Sequence, residues 1–222
     1  MTDDPKSFAE YFEVVEHDVS TLHMHWKMYR EVFAHSDRRI DMLNDVAPAF
    51  WGTIQSVMQD IVYLGISRLL DSERTLGKKN LNMRSILMEI QRTEQDEFVS
   101  QLRGQFDKVI QLFGPFRWHR HKRLAHSDQA TAMQAEYLRP SRGHIEHILE
   151  EIRCFMNMVR ERRGECPMAY EHIHYLGGGD SVAYWLSQGL WLKELRSKLW
   201  KGDLTPIQAV ELIKNEHRNV EY

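Results

Sequence analysis

Apolar residues recur at three- and four-residue steps along almost the whole chain, and this period leaves little room for a sheet. In the first segment Phe8, Phe12, Val15, Val19, Leu22, Trp26, Tyr29 and Phe33 line one stripe, which predicts a helix over about 8–34. Asp37 is placed to cap a short turn, and Pro48 suits the first turn of a second helix, about 48–71. That helix carries Phe50, Trp51, Ile54, Val57, Ile61, Leu64 and Leu69 on most of its sides, which predicts a central position in a bundle. No β-alternating segment and no internal repeat interrupts the pattern.

Further along, residues 72–80 read as a loop and 83–92 as a short helix. A long helix over 95–124 is interrupted at Gly114-Pro115, because proline removes a hydrogen bond and clashes with the preceding turn. Pro140 fits the N1 position of a helix that Gly164 ends. After an irregular stretch, Asp180 or Ser181 can cap a helix over 181–201, and Thr205-Pro206 starts a last one over 206–217. The expected fold is all-α, a helical bundle with appended C-terminal helices. The expected organisation is one domain over 1–222, with a core over about 8–165 and a helical extension over about 166–222.

The 222 residues are 42% hydrophobic and 27% charged, enough to bury a core. A net charge of −3 means that a polyanionic partner has to be met by a local basic patch. Two cysteines, Cys154 and Cys166, make no disulfide framework, and the start MTDDPKSF does not read as a secretory signal. No apolar run approaches the roughly 20 residues of a membrane span. A cytoplasmic protein with no membrane partner is expected.

The basic patch is RWHRHKRLAH, residues 117–126, in which Arg117, Arg120, Lys122 and Arg123 stand with His119, His121 and His126 and no acid. Cations near a helix C-terminus are favoured by the macrodipole, so on composition alone a solvated helix end is the commoner account. Chemistry offers another account. Metal-independent RNA cleavage needs the 2′-hydroxyl deprotonated and the leaving oxygen protonated, and histidine titrates near the working pH. The charge growing on the phosphate is met by an arginine fork. Arg120 and His126 are nevertheless six residues apart, about 120° around a straight helix at ~100° per residue. Convergence requires a helix end between them, a long arginine reaching round, or two protomers sharing a cleft. Trp118 could either stack on a base or anchor its helix in the core.

The run RHKRLAHSD, residues 120–128, resembles the Arg–His motif of the HEPN superfamily. It is similar above all to the abortive-infection AbiU-type branch, with Arg120, Lys122, Ala125, His126 and Asp128 in matching places. DIVYLGISRLLD (60–71) and the Gly-Gly-Asp at 178–180 are also similar to that branch, and the likeness extends over roughly 10–215. The resemblance implies a HEPN-like bundle that dimerises with its two motifs in an interfacial cleft. It further implies a metal-independent endoribonuclease of a toxin–antitoxin or phage-defence system, without cofactor. Arg120 would bind and polarise the scissile phosphate, His126 would act as general base or acid, and His121 would orient the pair or contact the phosphate. Arg117, Lys122 and Arg123 would contact RNA, and an antitoxin or defence partner is implied. Asp128 stands where adenylylation-silenced members have tyrosine, which puts control by a nucleotidyltransferase antitoxin in doubt. The alternative is a catalytically inactive HEPN module that binds RNA or a protein.

Elsewhere, His144, Glu146 and His147, and His172 with His174, lack the convergence of a zinc site and read as surface residues, as do His23 and His25. Arg68 and Asp71 read as an intrahelical ion pair. The glycine run 177–179 reads as a helix start, since no strand precedes it.

Overall fold

The computed structural model describes residues 7–72, 74–75, 78–94, 96–119 and 140–219. In chain order the helices are α1 (Phe8–Phe33), α2 (Asp37–Val46), α3 (Pro48–Leu69), α4 (Met83–Thr93), α5 (Glu97–Leu112), α6 (Gly114–His119), α7 (Arg142–Arg162), α8 (Gly179–Lys201) and α9 (Pro206–Asn219). The all-α class holds. Within the 72–80 loop, the two-residue strands β1 (Arg74–Thr75) and β2 (Lys78–Lys79) pair antiparallel, Arg74 with Lys79 and Thr75 with Lys78. Two residue pairs are too few for a sheet that could bury a face.

The chain divides into two compact units. The first comprises residues 1–29 and 54–175. Its centre is α5 against α7, where Leu102, Phe106 and Val109 meet Ile148, Ile152 and Phe155, all buried. Phe106 and Phe155 pack with ring centroids 5.9 Å apart. The α1 stripe predicted from spacing is also buried here: Phe12, Val15, Val19, Leu22 and Trp26 are all under a tenth exposed. Asn82 caps α4 reciprocally, its Oδ1 accepting from the Ser85 N–H at 3.0 Å while Ser85 Oγ accepts from the Asn82 N–H at 3.0 Å. Its amide also donates to the carbonyls of Asp71 and Ser72, which ties the end of α3 to the start of α4.

The second unit comprises residues 30–53 and 176–222. Ser36, not Asp37, caps α2, which is a full helix where spacing suggested only a turn. Its Arg39 donates to the Glu31 carbonyl and pairs with Asp180 at 2.6 Å. The Glu31 carboxylate in turn accepts the Gly179 N–H at 2.9 Å, so the start of α8 is held by an acid from α1 where Asp180 or Ser181 was expected as cap. Thr205 starts α9 as predicted, its Oγ1 accepting from the Gln208 N–H at 3.3 Å. Gly164 and Gly202 end α7 and α8 at φ 76° and 79°, a left-handed conformation that side chains disfavour.

Two further expectations change. Pro140 precedes the helix and Ser141 is the N-cap, with Arg142 the first helical residue. In α3 the apolar residues are not all internal: Val62, Tyr63, Ile66 and Leu69 are buried, while Phe50, Val57, Ile61 and Leu64 are 39–56% exposed. Apolar content on every side marks a buried helix only where neighbours exist on every side.

His23, expected at the surface, is 6% exposed and stacks on Tyr170 at 5.6 Å between centroids. Burial is the main force lowering its pKa from 6.5 to about 4, with Glu171 opposing in part. The unfolded chain therefore binds a proton that the folded chain refuses between those values. Stability is intact above pH 6.5 and falls as pH drops towards 4, by on the order of 3 kcal/mol in total. Chemical denaturation followed across pH 4–7 should show this slope, and His23→Phe should flatten it; an unchanged slope in that variant removes His23 as its source. Asn82→Ala should cost about 1–2 kcal/mol in the same measurement, since it removes the α4 cap together with the amide's bonds to the Asp71 and Ser72 carbonyls.

Candidate functional site

Arg120, His121, Lys122, Arg123 and His126 lie outside the described residues, as does the side chain of Trp118. What the structure defines is the framework at both ends of the segment that carries them. On the entry side, α5 ends at Leu112 and the chain restarts as α6, the break foreseen at Gly114-Pro115. Arg117 is exposed on α6, available to an anion. One residue earlier, Phe116 is fully buried, against Tyr63 at 5.7 Å and His144 at 5.3 Å between ring centroids.

On the return side, Pro140 is buried and Ser141 opens α7 by accepting from the His144 N–H at 3.2 Å. The His144 ring then reaches back, with Nε2 2.8 Å from the Leu112 carbonyl oxygen. That carbonyl belongs to the last turn of α5, where intrahelical partners run out, so the imidazole donates to an otherwise orphaned group. His144 is therefore a clamp between the two flanks of the basic segment, not the surface histidine its spacing suggested. The signal was available in its place: third residue of a helix following a predicted break, where a donor can meet a helix end.

A turn and more below, Gln105 of α5 donates to the Glu151 carbonyl at 3.0 Å and to its carboxylate at 2.6 Å. Lys108 approaches Gln105 at 3.3 Å and His147 approaches Glu151 at 3.5 Å. This polar seam aligns α5 and α7 along the axis, which burial alone does not.

A second polar cluster lies between α1, α7 and the 3-10 turn Tyr170–His172. Arg160 pairs with Glu16 at 2.6 Å, and the Tyr170 hydroxyl donates to the same carboxylate at 2.7 Å. Burial and that hydrogen bond push the Tyr170 phenol well above its ordinary range, so it stays protonated. Burial raises the Cys154 thiol, which leaves it a poor nucleophile. Arg160, Glu16 and the Tyr170 hydroxyl are satisfied by one another.

A groove of about 280 Å3 between α1 and α3 is lined by Asp18, Thr21, His25 and Arg68 above an apolar floor. Here Arg68 meets Asp18 at 3.3 Å across the helices, in place of the pairing with Asp71 that i, i+3 spacing suggested. The pair is largely solvated and contributes little. Among the described residues no group of three or more His, Cys, Asp or Glu is placed to hold a metal ion, and no helix is long and apolar enough to cross a membrane.

Comparison with known proteins gives one match. The HEPN-type family model AbiU2 covers residues 5–162, from α1 to the end of α7 and across the whole basic segment. No curated protein and no solved structure matches. With most of its length matched, the chain belongs to the AbiU2 family of HEPN proteins.

Proposed function

We propose that the protein is a metal-independent endoribonuclease acting as a toxin or phage-defence effector in the cytoplasm. The observation that carries this reading is the position of the run 117–126 inside the stretch matched to a HEPN family. In this reading Arg120 holds the scissile phosphate and stabilises its growing charge. His126 moves the proton between the 2′-hydroxyl and the reacting oxygens, and His121 orients the two. Arg117, Lys122 and Arg123 contact the RNA backbone, which makes binding salt-sensitive. The residues over about 8–165 form the catalytic core, and 166–222 form an extension to it.

Two copies solve the spacing problem between Arg120 and His126. If the segments of a homodimer face one another, the arginine of one and the histidine of the other can reach a single phosphodiester. An antitoxin or defence partner would restrain the site by covering this cleft. The clamp on both flanks supports the same reading: His144 and Phe116 fix where the segment leaves and rejoins the bundle.

His126→Ala should lower cleavage of single-stranded RNA by about 100-fold or more, with helix content unchanged and with chelators without effect on the wild type. Equal cleavage by that variant removes His126 from the site, and wild-type RNA binding without products favours the inactive binding module. His144→Ala should release the α5–α6 junction, read as faster amide exchange over 113–119, while His144→Gln, which keeps a donor, should restore most of the protection. Unchanged exchange in His144→Ala would show that the clamp does not restrain the flank.

A further inference from the structure

Beyond the family match lies α8, and its surface is not that of a solvated helix. Trp185 is 71% and Trp200 95% exposed, with Val182 at 39% and Leu192 at 46%. The exposed positions are ordered. Val182, Trp185, Gly189, Leu192 and Arg196, with the half-buried Leu199, alternate steps of three and four, the seam of a coiled coil. Ala183, opposite the seam, is buried, and so is Leu195, which flanks it. Gly189 lies at the middle of the seam, and a Cβ built there meets nothing within 4 Å, so it is an open notch.

We propose that this seam of α8 binds the same seam of a second copy of the chain, antiparallel and related by a two-fold axis. Complementarity selects the occupant. In an antiparallel coiled coil Gly189 faces Leu192 of the second copy, and the leucine fills the notch. The same register sets Trp185 against Arg196, a cation over an indole face. Val182 meets Leu199, and Trp200 falls over the first turn of the opposite helix. At the ends Asp180, whose side chain is 62% exposed, faces Lys201. The two-fold axis repeats each contact, and antiparallel macrodipoles oppose one another favourably. A parallel pair has none of this, since Arg196 would meet Arg196 and the two glycines would leave a void.

Other occupants fit less well. The two indoles are roughly 22 Å apart along the axis at 1.5 Å per residue, too far to stack on successive bases of one strand. Arg196 stands inside the seam, where a lipid-facing stripe would be apolar. The inference does not depend on ribonuclease activity, because association is measured without RNA.

Sedimentation equilibrium of the intact chain should show self-association that Leu192→Glu and Arg196→Glu each weaken by roughly 30-fold or more, with circular dichroism unchanged. With Cys154 and Cys166 replaced by serine, Gly189→Cys should be joined to its copy by a short thiol cross-linker, and Ser187→Cys, on the other side of α8, should not. A wild-type chain that stays monomeric overturns the proposal, and so does association indifferent to both glutamate substitutions. Cross-linking as efficient from position 187 as from 189 overturns the antiparallel seam. A monomer that binds a labelled single-stranded oligonucleotide through Trp185 and Trp200 assigns the face to nucleic acid instead.

Discussion

The packing of α5 on α7 is the constraint on which the rest of the first unit depends. These helices flank the basic segment, so their register sets the separation and direction of its two ends. Burial supplies the energy: Leu102, Phe106, Val109, Ile148, Ile152 and Phe155 are each excluded from water, at about 1.5–3 kcal/mol per large side chain. Apolar contact is tolerant of sliding, however. Gln105 meeting Glu151, and His144 meeting the Leu112 carbonyl, are directional and remove that tolerance. The ends of the basic segment are thereby fixed more tightly than apolar packing alone would fix them.

The same division of labour recurs around α1. The stripe from Phe12 to Trp26 gives the helix its place in the core, while Glu16 collects both Arg160 and the Tyr170 hydroxyl. A carboxylate with two donors is compensated for its burial, and neither donor is left unpaired when the irregular stretch after α7 folds back. His23 is stacked on Tyr170 without a hydrogen-bond partner for Nε2 and is kept neutral by burial. The interior therefore tolerates a titratable ring only in its uncharged form, which makes acid a specific challenge to the first unit.

Helices were legible because their signal is local. The α1 stripe, the break at Gly114-Pro115, the stop at Gly164 and the start at Thr205-Pro206 each follow from steric or hydrogen-bonding rules that act within a few residues. What was not legible depended on distant partners. Glu31 starts α8 from 148 residues away, Arg68 turns to Asp18 and not to Asp71, and His23 is buried by residues that no periodicity names. Ser36 caps α2 in place of the expected Asp37, because both are good caps and adjacent, a choice that only backbone geometry makes. The family was readable in RHKRLAHSD, but the clamp between the helices that flank this run was not. His144 looked like one histidine among several until the end of α5 was seen to lack a donor.

Periodicity also misleads in one consistent way, and α3 and α8 show how. Both helices are apolar over more of their circumference than their neighbours cover, so Val57, Ile61 and Leu64 on α3 and Trp185, Leu192 and Trp200 on α8 stay in water. A sequence rule that assigns every apolar stripe to the chain's own core has no place for a stripe meant for another molecule. The distinction lies in what accompanies the apolar residues. A stripe buried within one chain has no reason to hold an arginine opposite a tryptophan in reversed register, or a glycine opposite a leucine. On α8 those pairs occur at mirrored positions along one helix, and mirrored positions are what a two-fold axis between identical chains demands.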